Sequence, residues 1–280
     1  MTDGLVVVDK AAGWTSHDVV ARVRRVFGQR RVGHAGTLDP GATGVLLVGL
    51  GRATRLLRFV AALPKSYAGE VVLGVATSTL DDAGEVTGRW DMSGVGLAHA
   101  RAAAAGFVGE IDQVPPMVSA LHVGGRRLHE LARAGVEVER APRRVDIHRF
   151  DVDPGPEPGI LRIEVDCSSG TYVRSLAADL GAALGGGAHL RRLRRTAVGS
   201  FTARAAVAVD DLSPAAVLPP AAALRDYPSV VVGGAAADDV AHGRRLPDLA
   251  DDGPTAVVDD AGTLLAVYAA GRAEVVLAAG

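Results

Sequence analysis

Cysteine is almost missing from this chain of 280 residues: Cys167 stands alone. That rules out an intramolecular disulfide and any multi-cysteine metal site. Lysine is nearly as scarce, with 2 residues against 28 arginines. An ammonium is a compact point charge and a guanidinium a broad planar fork, so Lys10 and Lys65 mark positions where the two are not interchangeable. Aromatic residues are only 4% of the chain, so each tyrosine at a motif position carries weight. No apolar run is long enough to span a bilayer, and no membrane association is expected. Met1-Thr2-Asp3-Gly4 leads straight into Leu5-Val6-Val7-Val8 with no basic leader, unlike a secretory signal, so the expected location is the cytoplasm.

What the chain does contain is globular. At 48% hydrophobic and 22% charged it has room for one large domain and one small one. The net charge of −2 hides an asymmetry: residues 1–204 carry 26 basic against 21 acidic side chains, and residues 205–280 carry 4 against 11. A basic body thus bears an acidic tail. Arginines cluster at Arg22, Arg24, Arg25, Arg30 and Arg31, at Arg52, Arg55 and Arg58, at Arg140, Arg143 and Arg144, and at Arg191, Arg192, Arg194 and Arg195. One such cluster reads as a solvated face; four in one body point to a polyanionic partner.

Leu5–Val8, Val45–Leu50, Tyr67–Val75, Arg143–Phe150 and Leu161–Cys167 read as strands. Helices are predicted after Ser16, read as an N-cap, with Val19, Val20, Val23 and Val26 on one face, and over His99–Val108 and Tyr172–Leu184. A strand near Ser119–Val123 and a helix near Leu128–Ala134 complete the body. Without strict βαβ alternation the fold class is α+β, a mixed and largely antiparallel central sheet flanked by helices. The division is residues 1–212 as a main body, a proline-bearing linker over 213–228, and a small β-rich module over 229–280.

The chemistry concentrates in Gly33-His34-Ala35-Gly36-Thr37-Leu38-Asp39-Pro40-Gly41-Ala42-Thr43-Gly44. Here one carboxylate, Asp39, sits among four glycines and a proline, directly ahead of a buried strand. Taken alone, Asp39 reads as a turn cap. It keeps company, in order, with Asp9-Lys10-Ala11-Ala12-Gly13-Trp14-Thr15-Ser16, Lys65-Ser66-Tyr67, Gly74–Asp81, Gln113-Val114-Pro115-Pro116, Ser168–Leu176 and Ala188–Thr196. In this order and spacing, from about Leu5 to Phe201, the chain resembles the TruB family of bacterial tRNA pseudouridine synthases, which act on the uridine at position 55 of the T loop. Ser229–Gly280 resembles the PUA-like module that ends many members.

The resemblance implies a pseudouridine synthase-like fold and isomerisation of a uridine in tRNA on a flipped-out base, with no cofactor and no metal. It makes Asp39 the catalytic carboxylate and Arg174 its cationic partner. Tyr67 matches the residue that packs on the uracil, Tyr172 and Leu193 line the same pocket, and His34 enters the space left by the base. Lys10 and Lys65 match lysines of structural or phosphate-directed role, and the Arg191–Arg195 run fits phosphate contacts. The implied partner is the T-arm stem-loop of tRNA, with no obligatory protein partner and a monomeric state. Ala11, Val118, His122 and His129 depart from the usual family residues, which touches the support around the pocket and leaves the carboxylate in place. Deleting residues 221–280 is expected to weaken tRNA binding only modestly, because the acidic tail repels phosphates.

Other readings follow from the same residues. A tRNA-folding helper would need the binding surface and not the carboxylate. A phosphate cradle at Gly33–Gly44 lacks the Gly-Lys-Ser/Thr ending of a P-loop. Cys167 ends an alternating apolar strand, a buried setting that suits a thiol nucleophile poorly.

Overall fold

The computed structural model describes residues 2–118, 122–123, 126–127, 138–246, 249 and 253–277. The chain divides into two compact units: Met1–Pro40 with Gly44–Leu63 and Val198–Gly280, and Gly41–Thr43 with Pro64–Ala197.

The first unit is built on the strand Gly4–Lys10, antiparallel to Thr43–Leu50 and parallel to Val207–Ala208. Leu5, Val6, Val7 and Val8 are all buried, as are Val45 to Val48. Continuous apolar runs arise when both faces of a strand are covered. Val32–Ala35 adds a short antiparallel strand on the other side of Thr43–Leu50. The helix Ser16–Phe27 buries Val19, Val20 and Val23, the predicted face. Its cap differs from expectation. Thr15 is the N-cap, in a reciprocal capping box with Asp18, and Gly28 closes the far end in a left-handed conformation. Ser16 is already helical and buried, because its hydroxyl is engaged elsewhere.

In the second unit the strand order is Ala188–Val198, Lys65–Leu73, Ile160–Cys167, Arg143–Pro154 and Gly109–Gln113. The pairings of Ile160–Cys167 with both neighbours, and of Arg143–Pro154 with Gly109–Gln113, are antiparallel. Helices Leu97–Ala105 and Val173–Ala183 contribute Ala100, Leu176 and Leu180 to a core with Val71, Ile147, Ile163 and Val165. Both units mix helices with largely antiparallel strands, the expected α+β class. The predicted strand Tyr67–Val75 is interrupted at Gly74, whose φ is 80°. A Cβ there would stand 2.6 Å from the Trp90 carbonyl oxygen, so only glycine admits the bend. The arginine-rich stretch Ala188–Val198, to which no element was assigned from sequence, is a strand of 11 residues. The elements expected near 119–123 and 128–134 fall largely outside the described residues; His122–Val123 pairs with Arg126–Arg127.

The C-terminal strands order as Ser229–Val231, Thr255–Val258, Leu264–Ala269 and Arg272–Val276. Ala256, Leu264, Val267, Val275 and Leu277 share one apolar cluster with Leu5, Val7, Val45, Leu47 and Phe59. The connecting segment joins it too: Ala223 and Leu224 are 1% and 2% exposed, and Leu5 and Leu218 exchange backbone hydrogen bonds of 2.9 and 2.8 Å. Arg52, Arg55 and Arg58 reach Leu277 O, Val276 O and Glu274, so this cluster binds the C-terminal strand rather than standing free. Deleting 221–280 would therefore open the core and cannot report RNA affinity alone. Among the described residues no helix is long and apolar enough to cross a membrane.

Leu224→Ala is expected to lower unfolding stability by about 2–5 kcal/mol in urea titrations, the cost of truncating a core leucine. A loss under about 0.5 kcal/mol, typical of surface sites, would place the segment outside the core.

Candidate active site

Asp39 lies in the connection between Val32–Ala35 and Thr43–Leu50, whose strands are held in register as His34 with Val48 and Ala35 with Leu47. Gly36 and Gly44 sit at either end of it with φ of 74° and 101°. The residues on each side of Asp39 are fastened by the N-terminal motif. The Leu38 amide donates to Ser16 Oγ at 2.9 Å, and the Ser16 hydroxyl donates to Leu38 O at 3.2 Å. Pro40 O accepts from the Gly13 amide at 2.9 Å and from Lys10 Nζ at 3.2 Å. Lys10 is fully buried, and its ammonium also donates to Ala11 O at 3.1 Å and Trp14 O at 2.6 Å. Three N–H bonds radiating from one point match three carbonyls around it, which a planar guanidinium cannot do. The retention of a lysine at this position thus has a geometric reason. Asp39 itself is half-buried, and His34 stands on the entering strand with its ring edge-on to His17 at 5.4 Å.

Arg174, Tyr172, Tyr67 and Leu193 belong to the second unit. Tyr172 precedes the Val173–Ala183 helix, and its amide and carbonyl are both held by the buried Gln113 side chain at 2.7 and 3.1 Å. Ser175 Oγ donates to Val114 O at 3.0 Å, so the Gln113–Pro116 motif is clasped to the helix start. Arg174 is 5% exposed. It donates from Nη1 to Thr79 O at 2.9 Å and from Nη2 to Val118 O at 2.8 Å, with Nε 3.7 Å from Asp81 Oδ2. The Thr77–Asp81 turn that meets it is self-braced. Thr77 Oγ1 donates to Asp81 O at 2.6 Å, Thr79 Oγ1 donates to Asp81 Oδ1, and Leu80 takes a left-handed φ of 62°. Tyr67 and Leu193 are half-buried against the same core cluster. Leu193 leans over Gly69, two residues from Tyr67 and on the same strand face.

Gln113, Thr79 and Asp81 were not singled out from sequence, and Ser16 was read only as a helix cap. All lie in the quoted motifs, but a polar residue in a loop reads as turn chemistry until its partner, dozens of residues away, is known. The Arg191–Arg195 run is largely engaged inside the unit: Arg191 Nε donates to Glu70 at 2.8 Å, and Arg195 is 1% exposed. Lys65, opposite Cys167 in the sheet, is 6% exposed. Burial first, and then the Arg195 charge, push its ammonium down to about 8. Burial pushes the Cys167 thiol up to about 11, so at neutral pH it is a protonated, inaccessible group and no nucleophile.

The TruB family pseudouridylate synthase N-terminal domain matches residues 24–173, and the tRNA pseudouridylate synthase B C-terminal domain matches residues 174–226. The chain belongs to the TruB family. It is 53% identical over 246 residues to the tRNA pseudouridine synthase B of Symbiobacterium thermophilum, covering 86% of this chain and 82% of that protein. It is 46% identical over 276 residues to that of Thermobifida fusca, covering 95% and 94%. Among solved structures, Cbf5 in a Cbf5-Nop10-Gar1 complex superposes with a TM-score of 0.74 at 27% identity, covering 95% of this chain and 78% of that one. This TruB-family chain is accordingly a pseudouridine synthase, an RNA-binding isomerase with the fold of that enzyme class.

Two outcomes test the site. Ser16→Ala leaves the buried Leu38 amide without its acceptor; it should cost about 1–3 kcal/mol in denaturant titrations and lower kcat by roughly tenfold by loosening the Asp39 loop. Unchanged kcat would show that the clasp does not position the carboxylate. Lys65 has a folded value, about 8, below the ordinary 10.5, so the unfolded chain binds more protons between those limits. The stability difference between wild type and Lys65→Met should therefore be flat below pH 8 and rise in favour of wild type up to pH 10.5. Unfolding curves across this range check it; a difference constant with pH contradicts the burial argument.

Proposed function

We propose that this chain converts uridine 55 in the T loop of tRNA to pseudouridine, with Asp39 as the catalytic carboxylate acting on a flipped-out base. The N-glycosidic bond breaks, the uracil turns over, and its C5 bonds to the same ribose carbon; the C5 proton leaves and N1 ends protonated. The reaction is an isomerisation, balanced without oxidant or reductant. A carboxylate has three routes into it: addition to the uracil ring, attack on the ribose, or removal of a ribose proton. All three need it ionised and held away from bulk water, a condition that burial alone opposes.

In this reading Arg174 supplies the compensating charge, as a guanidinium already oriented by Thr79 O and Val118 O. Tyr67 packs on the uracil and handles the C5 proton, Tyr172 and Leu193 wall the pocket, and His34 fills the gap the base leaves in its stack. Residues 1–212 carry the chemistry and 229–280 the PUA-like module, joined by 213–228. The enzyme acts as a cytoplasmic monomer on tRNA, with no cofactor and no protein partner. The observation that carries the proposal is the two-sided clamp on Leu38 and Pro40. A turn cap needs no such scaffolding, whereas a group that must meet a reacting atom does.

The test is mass-spectrometric mapping of pseudouridine in tRNA incubated with the purified protein and nothing else. Wild type should modify position 55, and Asp39→Asn should lower the rate by more than about 10⁴-fold, as expected for loss of the group that performs the chemistry. Pseudouridine formation by Asp39→Asn at a comparable rate would remove Asp39 from its role. RNA binding without modification by wild type would favour the folding helper.

A further inference from the structure

The first helix carries three arginines, and they are used differently. Arg24 donates from Nη2 to Val32 O at 3.0 Å and so belongs to the fold. Arg22 and Arg25 line a cavity of about 420 Å³ with Gly13, Trp14, Asp18 and Ala21. Residues 18, 21, 22 and 25 follow the i, i+3, i+4, i+7 spacing of one helix face, opposite the buried Val19, Val20 and Val23. Ala21 keeps that face open, and Trp14 supplies an indole beside it. The Arg22 Nε is buried with no hydrogen-bond partner among the described residues. An unmatched buried donor is costly and calls for an acceptor.

The one carboxylate in the wall does not supply it. Asp18 Oδ2 accepts from the Thr15 amide at 2.9 Å and from the Thr15 hydroxyl at 2.6 Å, which commits it to the capping box. The wall therefore carries two arginines against one engaged carboxylate. A planar fork of donors beside an aromatic ring suits a phosphate oxygen with an adjoining sugar or base.

The cavity is also coupled to the loop of Asp39. Gly13 forms part of its wall and donates its amide to Pro40 O. Trp14 forms another part, and its carbonyl is held by the same Lys10 ammonium that holds Pro40. We infer that the Trp14–Arg22–Arg25 cavity is an RNA-backbone subsite, which grips a phosphate and its ribose away from the reacting uridine and registers the strand against the Asp39 loop. It rests on the reading of the chain as an RNA-modifying enzyme and adds to it a contact from Arg22 and Arg25, which lie outside the motifs that carry the resemblance.

The experiment uses the full chain, a T-arm stem-loop RNA and the variants Arg22→Gln/Arg25→Gln and Arg25→Gln, with melting curves to verify folding. Fluorescence anisotropy gives Kd across a KCl series. The double variant should bind about 10–100-fold more weakly at fixed salt, with the slope of log K against log salt smaller by about 0.7–1.8, one or two phosphate contacts. Arg25→Gln alone, at an exposed helix position, should lose part of that slope and keeps the test readable if the pair disturbs folding. Arg101→Gln, which breaks an exposed pair with Asp153, controls for general charge and should leave the slope unchanged. Unchanged affinity and slope in the double variant overturn the inference. If inorganic phosphate binds wild type in an Arg22- and Arg25-dependent manner by calorimetry while RNA affinity is unmoved, the cavity serves free phosphate and the RNA subsite is overturned. Binding is measured in the Asp39→Asn background as well. Failure of wild type to form pseudouridine would then count against the proposed reaction and leave the cavity result standing.

Discussion

A single buried ammonium organises the first unit. Lys10 ends the strand Gly4–Lys10 and gathers Ala11 O, Trp14 O and Pro40 O around one nitrogen. A charge without water must be surrounded by acceptors or lose its proton. The carbonyls therefore have to come to it, and two separate loops are drawn to one point. The turn that starts the first helix and the loop that carries Asp39 are fixed by the same atom. The Ser16 clasp on Leu38 completes the fixation from the other side. Such geometry is rigid because every hydrogen bond lost leaves a buried partner unsatisfied.

The second unit solves a similar problem with an arginine and a glutamine. Gln113 satisfies both backbone groups of Tyr172, and Arg174 bridges the Thr77–Asp81 turn and Val118. In each case a long-range side-chain contact replaces secondary structure as the device that shapes a loop. The left-handed Leu80 is tolerated because its carbonyl accepts from the Leu190 amide and its amide donates to Thr77 O. Strain at a loop persists where surrounding bonds over-determine it.

Charge in this molecule is distributed by structural use more than by sequence density. Arg52, Arg55 and Arg58 look like a basic patch and tie down the C-terminal strand instead. Arg149 satisfies three carboxylates, Asp151, Glu164 and Asp166. Arg22 and Arg25, one turn apart on the first helix, line the cavity beside Trp14 instead. An arginine in a sequence is a cation; only its neighbours say whether that cation is available to a partner.

The apolar runs Leu5–Val8 and Val45–Val48, the alternation of Ile160–Cys167 and the periodicity of the two main helices were legible from sequence, because burial on a strand or helix imposes a local period. The order of short motifs marked the family, and the resemblance put forward Asp39, His34, Tyr67, Tyr172, Arg174 and Leu193 as the proposed site residues. Hydrophobic period could not reveal Ala188–Val198 as a strand, since two of its arginines, Arg191 and Arg192, are paired with Glu70, more than a hundred residues earlier. Nor could it show that the proline-bearing connector is core, because Leu224 is buried in a cluster with residues as distant in sequence as Leu5 and Phe59. The sequence alone determined which residue types stand in which local pattern, since that depends on contacts a few residues apart. Only the tertiary structure decided that Lys10 grips Pro40, that Ser16 grips Leu38 and that Gln113 grips Tyr172, because a hydrogen bond between distant residues leaves no period in the chain that makes it.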